Sequence, residues 1–300
     1  MRLGLFTDCF VQWPLQRVVT WAAAHGYQDL EVAAWPLSVE DHATHIDVAA
    51  LDRAQAQRIA DLTTSADVDL VAVSYYDNLL APDRGEAVRS HLIACCRAAE
   101  HLGVGLVGMF VGRNPQRTVH DDLAIASDLL PGLVDEARRR GVTLVVENCP
   151  MTVWHPDGQP GNLAYSPELW GWLADLGIGL NFDPSHLPPV GVDPVAALRA
   201  HGRPLLFQAK GVEVFPDARD RTGYIGPLFE ADPWWRYRTP GLDDLDWRAI
   251  IETLQSTGYD GSIVVEQEDS VLGRSENDAA EGLITAHAHL APLLSSHPTM

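Results

Sequence analysis

Cysteine is scarce: four in 300 residues cannot build a disulfide framework, and none stands in the C-x-x-C pairing of a zinc site. Cys95 and Cys96 are neighbours inside a helical pattern, while Cys9 and Cys149 fall at predicted strand ends. Reduced thiols in a cytoplasmic protein are the reading. Long apolar runs are missing too. No stretch approaches the roughly 20 residues of a membrane span, and Met1-Arg2-Leu3-Gly4-Leu5-Phe6 passes at once into Thr7-Asp8 rather than into a signal-peptide core. Positive charge is in short supply, with 21 Lys and Arg against 41 Asp and Glu and a formal charge of −20. Nucleic acid and anionic membranes are bound chiefly through Lys and Arg, so both are excluded as partners. A small molecule is the expected partner, with a homo-oligomer left open.

What is present is an alternation of short apolar, β-branched runs with longer helical periods. Strands are predicted over 3–6, 29–33, 70–74, 105–111, 142–147, 178–182, 204–209 and 262–266. Helices are predicted over 15–24, 49–65, 84–101, 121–140, 167–176, 194–200, 247–256 and 275–294. Glycines such as Gly26, Gly103 and Gly141 stand where the helices stop. Strand then helix, repeated, demands parallel strands with right-handed crossovers. Eight such units fit a closed (β/α)8 TIM barrel, a single α/β domain over 1–300. No Gly-x-Gly-x-x-Gly follows the first strand, which argues against a dinucleotide-binding sheet. Two connections break the rhythm, 148–166 and 211–246. Both follow strands and so lie on the C-terminal face, where structureless segments of this length serve as lids or binding loops.

The later strands end in acid. Val145-Val146-Glu147-Asn148 closes the fifth, Leu180-Asn181-Phe182-Asp183 the sixth and Val264-Val265-Glu266 the eighth. Carboxylates at barrel strand ends point into the mouth, where Glu147, Asp183 and Glu266 would repel one another unless protonated or neutralised by a cation. One such acid alone is more simply a helix cap or an arginine partner. Three in one mouth suit a hard divalent ion, Mg²⁺ or Mn²⁺, with room left for substrate.

Further motifs carry a resemblance over nearly the whole chain. They are Gly26-Tyr27-Gln28-Asp29-Leu30-Glu31, Val146-Glu147-Asn148-Cys149-Pro150 and Asp183-Pro184-Ser185-His186. Trp234-Trp235-Arg236-Tyr237-Arg238-Thr239-Pro240-Gly241, Gly258-Tyr259-Asp260-Gly261 and Val265-Glu266 follow in order. Together they resemble the xylose isomerase-like TIM barrel superfamily of sugar phosphate isomerases and epimerases. The resemblance implies a metal held by Glu147, Asp183 and Glu266, with both glutamates also moving protons, and His186 on substrate oxygens. The family reads His-x-Lys-Asp after the seventh strand, where this chain has Gln208-Ala209-Lys210-Gly211. Either Gln208 ligates as a weaker, neutral oxygen donor that disfavours Zn²⁺, or the metal is lost.

The implied activity is isomerisation or epimerisation of a sugar, keto-sugar or polyol derivative, by proton abstraction beside a carbonyl and an enediolate intermediate. The same apparatus would serve a lyase that eliminates from a keto-sugar or keto-glycoside. A sugar-binding barrel with a decayed metal site is the non-catalytic alternative. Lys210, Arg113, His45, Trp235 and Arg236 are candidate substrate contacts, and Glu31, Phe110, Trp35 and Trp154 stand on strand ends or loops that face the mouth. Aromatic faces stack on the apolar faces of sugar rings. The alternative for 234–237 is a hydrophobic plug that pins its loop.

Overall fold

A computed structural model describes residues 1–227 and 233–295. Eight parallel strands close into a barrel: β1 (Arg2–Phe6), β2 (Asp29–Ala33), β3 (Asp69–Tyr75), β4 (Leu106–Met109), β5 (Thr143–Glu147), β6 (Gly179–Phe182), β7 (Leu206–Ala209) and, last, β10 (Ser262–Val265). They pair in chain order, and β10 closes the ring on β1 through Arg2↔Ser262 to Leu5↔Val265. Helices α1 (Leu15–Ala24), α2 (Arg53–Ser65), α3 (Gly85–Leu102), α4 (Val119–Arg138), α5 (Pro167–Asp175), α6 (Pro194–His201), α8 (Trp247–Ser256) and α9 (Glu276–Ser295) separate the strands and surround them.

The outer layer follows from helical spacing. On α8, Trp247, Ile250, Ile251 and Leu254 are buried, an i, i+3, i+4, i+7 stripe. On α3, Val88, Leu92, Cys95, Cys96 and Ala99 do the same, which accounts for the adjacent cysteines as packing residues. Helix α2 starts later than its apolar period suggests, because Asp52 and Gln55 form a reciprocal capping box that sets the first turn at Arg53. Strand β2 is buried along its whole length, as expected where helices cover one face and the barrel interior fills the other.

The segment 211–246 corrects an expectation. It is not structureless. Strand β8 (Gly211–Val214) pairs antiparallel with β9 (Trp235–Arg238), and α7 (Pro216–Thr222) lies between them. The cause is a period-two pattern, Trp-Arg-Tyr-Arg, that puts aromatics on one face of β9 and guanidinium groups on the other. Glu213 on β8 accepts from Arg236 Nε and Arg238 Nη1, both at 2.7 Å. Buried Trp234 anchors the ribbon's base, as a plug would. The other long connection carries one 3₁₀ turn, Thr152–Trp154, entered through Met151 at φ 45°.

Candidate active site

Each acid is set by the end of a strand and by what the next few residues can bond to. Asp183 follows β6 and is locked by a reciprocal pair with Asn148. The Asn148 amide donates to the Asp183 carbonyl at 2.8 Å, and the Asp183 backbone N–H returns 2.7 Å to Asn148 Oδ1. Its Oδ1 accepts from the Ser185 N–H at 2.8 Å, capping the 3₁₀ turn Pro184–His186. That turn swings His186 back over the barrel. His186 Nε2 lies 2.6 Å from Glu147 Oε1 and 3.4 Å from Asp183 Oδ2, while its Nδ1 is 2.8 Å from the Tyr237 hydroxyl. Across the mouth, Lys210 Nζ lies 2.8 Å from Glu266 Oε2, 2.9 Å from Glu268 Oε2 and 3.4 Å from Asp183 Oδ2.

Glu147, Asp183, His186 and Glu266 are all buried, and one ligand atom from each falls within 4.8 Å of the others. Asp183 Oδ2 makes no hydrogen bond although it is buried, a costly state unless something binds it. Three carboxylates, one of them with an oxygen that no hydrogen bond holds, and an imidazole fit a divalent cation. Burial pushes Glu147 up to about 7 against the pull of Lys210. Burial likewise raises Asp183, opposed by His186 and Lys210, and raises Glu266 well above the carboxylate range, opposed by Lys210. Burial works to neutralise Lys210, but Glu266, Glu268, Asp183 and Glu147 outweigh it and hold the ammonium charged. Burial and Lys210 push His186 down to about 3, so its imidazole is neutral and free to ligate or accept.

A second polar layer lies beneath. Glu31, at the middle of β2, accepts from the Tyr76 hydroxyl at 2.6 Å and from Gln208 Nε2 at 3.0 and 3.1 Å. Asn181 Nδ2 donates to the same Tyr76 oxygen at 2.9 Å. Gln208 therefore spends its amide nitrogen on Glu31, while its Oε1 is buried without a partner. Burial pushes Glu31 up to about 7, moderated by the hydrogen bonds from Tyr76 and Gln208.

Above these layers opens a cleft of about 550 Å³. Glu147, His186, Lys210, Glu266 and Glu268 form its floor, and Trp35, Phe110, Trp154, Trp235 and Tyr237 stand around it. Near its edge, His42 stacks flat on Trp35 at 4.3 Å and holds Asp8 Oδ2 through Nδ1 at 2.7 Å.

Of the candidates named from the sequence, Glu147, Asp183, His186, Lys210, Glu266 and Trp235 come together here. Three candidates lie elsewhere. His45 is turned inward, its ring bonded to Thr7 Oγ1 at 2.8 Å and to the Trp13 carbonyl at 3.0 Å, so it ties two loops together rather than reaching the cleft. Arg113 is buried; its Nη1 donates 2.7 Å to the Pro160 carbonyl and its Nε faces Asp122 at 3.5 Å. Arg236 lies on the face of β9 opposite Trp235 and is held by Glu213. Nothing in the sequence reading marks Glu268, Tyr76 or the Asp8–His42 pair as site residues, and Tyr237 enters it only within the aromatic run 234–237. Glu268 carried a usable signal, since it stands two residues beyond Glu266 and shares its face.

Residues 19–290 match the family profile of the xylose isomerase-like TIM barrel. The uncharacterized protein YfiH of Bacillus subtilis (strain 168) is 25% identical over 297 residues, spanning 91% of this chain and 94% of its own. The IolI protein, solved with a bound zinc atom, superposes with a TM-score of 0.72 at 18% identity over 100% of both chains. D-psicose 3-epimerase, solved in the presence of D-fructose, gives 0.67 at 16% identity over 97% of this chain and 99% of its own. At these identities the two solved structures speak for the fold.

Proposed function

We propose, for a chain that belongs to the xylose isomerase-like TIM barrel family, a divalent-metal-dependent isomerase or epimerase activity on a carbohydrate bearing a carbonyl. The carrying observation is the convergence of Glu147, Asp183, His186 and Glu266, all buried, on one point at the floor of the cleft. Glu147, Asp183 and Glu266 would hold Mn²⁺ or Mg²⁺, with an imidazole from His186 or the free oxygen of Gln208 to complete the set. The cation, when bound, supplies Lewis acidity that makes the proton next to the carbonyl easier to remove.

The remaining chemistry belongs to the chain. Glu147 and Glu266 are the groups placed to take and return that proton. Burial holds both above the ordinary carboxylate range, which brings Glu147 close to neutral pH, where a carboxylate moves protons in either direction most readily. Lys210 keeps Glu268 ionised and fixes the Glu266 carboxylate through its 2.8 Å contact. Tyr237 holds the His186 ring, so the imidazole faces Glu147 and Asp183 rather than solvent.

Elimination from a keto-sugar is the second reading, and Asp8–His42 favours it. Burial pulls His42 down, yet the hydrogen bond and charge of Asp8 outweigh it and raise the imidazole. The shift favours the protonated form, and from the cleft wall that form can hand a proton to a departing oxygen, which an epimerase does not need. Incubation with a panel of ketopentoses, ketohexoses and keto-glycosides in D₂O with Mn²⁺, followed by NMR, separates the outcomes. Deuterium beside the carbonyl of a product of unchanged formula supports isomerisation, and a product lighter by water supports elimination. No exchange with any member, with Mn²⁺ bound, would leave a sugar-binding barrel.

A further inference from the structure

We infer that the substrate is a keto-glycoside, its carbonyl on the sugar ring, carrying an apolar, ring-bearing aglycone, which the outer half of the cleft receives while the sugar lies on the acidic floor. This rests on the carbohydrate reading above and adds the class of sugar derivative to it.

Size is the first argument. A cavity of about 150 Å³ is filled by one benzene-sized ring, and this cleft measures about 550 Å³. Pockets in that range suit ligands well beyond one sugar ring. Wall chemistry is the second. A continuous run of ring contacts crosses the cleft: Trp35 to Phe6 at 6.1 Å, Phe6 to Tyr76 at 5.7 Å, Tyr76 to Phe110 at 4.9 Å and Phe110 to Trp154 at 5.5 Å. Trp235 and Tyr237, 4.9 Å apart, line it as well. A sugar ring needs one or two such faces. Phe6, Trp35, Tyr76 and Phe110 are buried against one another, but Trp154, Trp235 and Tyr237 keep partly exposed faces, more than one sugar ring covers.

The rim carries the third argument. Val153 lines the cleft and is 84% exposed, with Met151 and Trp154 beside it on the same strained turn. Apolar surface on a cleft wall gains when covered by an apolar group, and a hydroxylated sugar offers little of that kind. A negatively charged substituent finds no match there. Arg84, the guanidinium among the lining residues, is held by Asp77 at 2.9 Å, and Lys210 is committed to Glu266 and Glu268. A phosphate would meet no uncommitted Lys or Arg among the described lining residues.

Calorimetric titration of the full-length protein with methyl and phenyl glycosides of D-glucose, D-galactose and D-xylose, non-reacting analogues that lack the ring carbonyl, tests this. Phenyl should bind at least ~10-fold tighter than methyl for one sugar or more, as burying a ring's apolar area implies. Trp154→Ala should bring that ratio close to unity. Val153→Ser, at a position exposed enough to leave folding intact, should lower it about two-fold. Equal affinities for every pair, failure of all phenyl glycosides to bind, or a ratio that survives both variants overturns the inference. Mn²⁺ titration of the same samples keeps the two claims apart. Protein that takes up Mn²⁺ without a phenyl preference sinks only the aglycone, whereas protein that takes up none sinks the metal-dependent reading beneath it.

Discussion

Lys210→Met removes the one positive charge that the described floor of the site supplies without a metal. Its ammonium is 2% exposed and contacts Glu266, Glu268 and Asp183 at 2.8, 2.9 and 3.4 Å. Methionine keeps the length and apolar stem, so packing is little changed and the loss is electrostatic. Breaking a buried pair by deleting one partner costs about 3–5 kcal/mol. The half-exposed Glu268 carboxylate keeps water at one corner, which favours the lower end, about 3 kcal/mol. Unfolding entropy of about 2.1 cal/mol/K per residue gives roughly 0.6 kcal/mol/K for 300 residues. The metal-free variant should therefore melt about 5 °C below wild type in EDTA. Mn²⁺ at about 100 times its Kd adds about 2.7 kcal/mol to any protein that binds it only when folded. It should recover about 4 °C of that loss. Its apparent Kd should also fall, because the ammonium no longer repels it. Differential scanning calorimetry with EDTA and with Mn²⁺ reads both effects. A variant within 1 °C of wild type in EDTA, or a loss that Mn²⁺ leaves untouched, refutes the idea that Lys210 is the resident counter-charge of a cation site.

Glu147→Gln and Glu266→Gln should each lower kcat about 10²- to 10⁴-fold on whichever ketose exchanges its proton, measured by deuterium uptake; a drop confined to KM would mean that the carboxylates only bind. Glu31 has a folded pKa of about 7, above its unfolded value of 4.5, so its stabilising contribution is complete below pH 4.5 and is lost as pH rises through 7. Glu31→Gln should thus raise the melting temperature at pH 8 and leave it unchanged or lower at pH 5, and equal shifts at both would contradict this assignment. Tyr237→Phe removes the hydroxyl at His186 Nδ1 and should weaken Mn²⁺ binding about ten-fold if His186 is a ligand; unchanged affinity would turn the fourth position over to Gln208. His45→Ala and Arg113→Ala should lower melting temperature by a few degrees with KM intact, and a raised KM would return either residue to the cleft.

Much of this molecule is legible in its sequence. Barrel strands are short apolar runs between glycine-stopped helices, and both signals are local, so β5 at Thr143–Glu147 and β6 at Gly179–Phe182 emerge within a residue of their predicted bounds. Glu147, Asp183 and Glu266 were legible for the same reason: an acid just past an apolar run has one place to go in a barrel. The failures share a different cause. His45 and Arg113 sit on loops, where the direction of a side chain depends on which carbonyls come within reach, here those of Trp13 and Pro160. Arg236 failed through a period: Trp235-Arg236-Tyr237-Arg238 alternates like a strand, and alternation sends Arg236 away from the face that Trp235 presents. The Gln208 contact with Glu31 joins residues 177 positions apart and left no local trace.

The claim on which the rest depends is that one cation gathers Glu147, Asp183 and Glu266. Electron paramagnetic resonance titration of the full-length protein with Mn²⁺ measures this directly, because bound ion loses the sharp six-line spectrum of free Mn²⁺. One Mn²⁺ per chain, bound in wild type and released to solution by Asp183→Asn, is the result the account predicts. Free signal growing from the first addition to wild type, or full binding retained by Asp183→Asn, would contradict it.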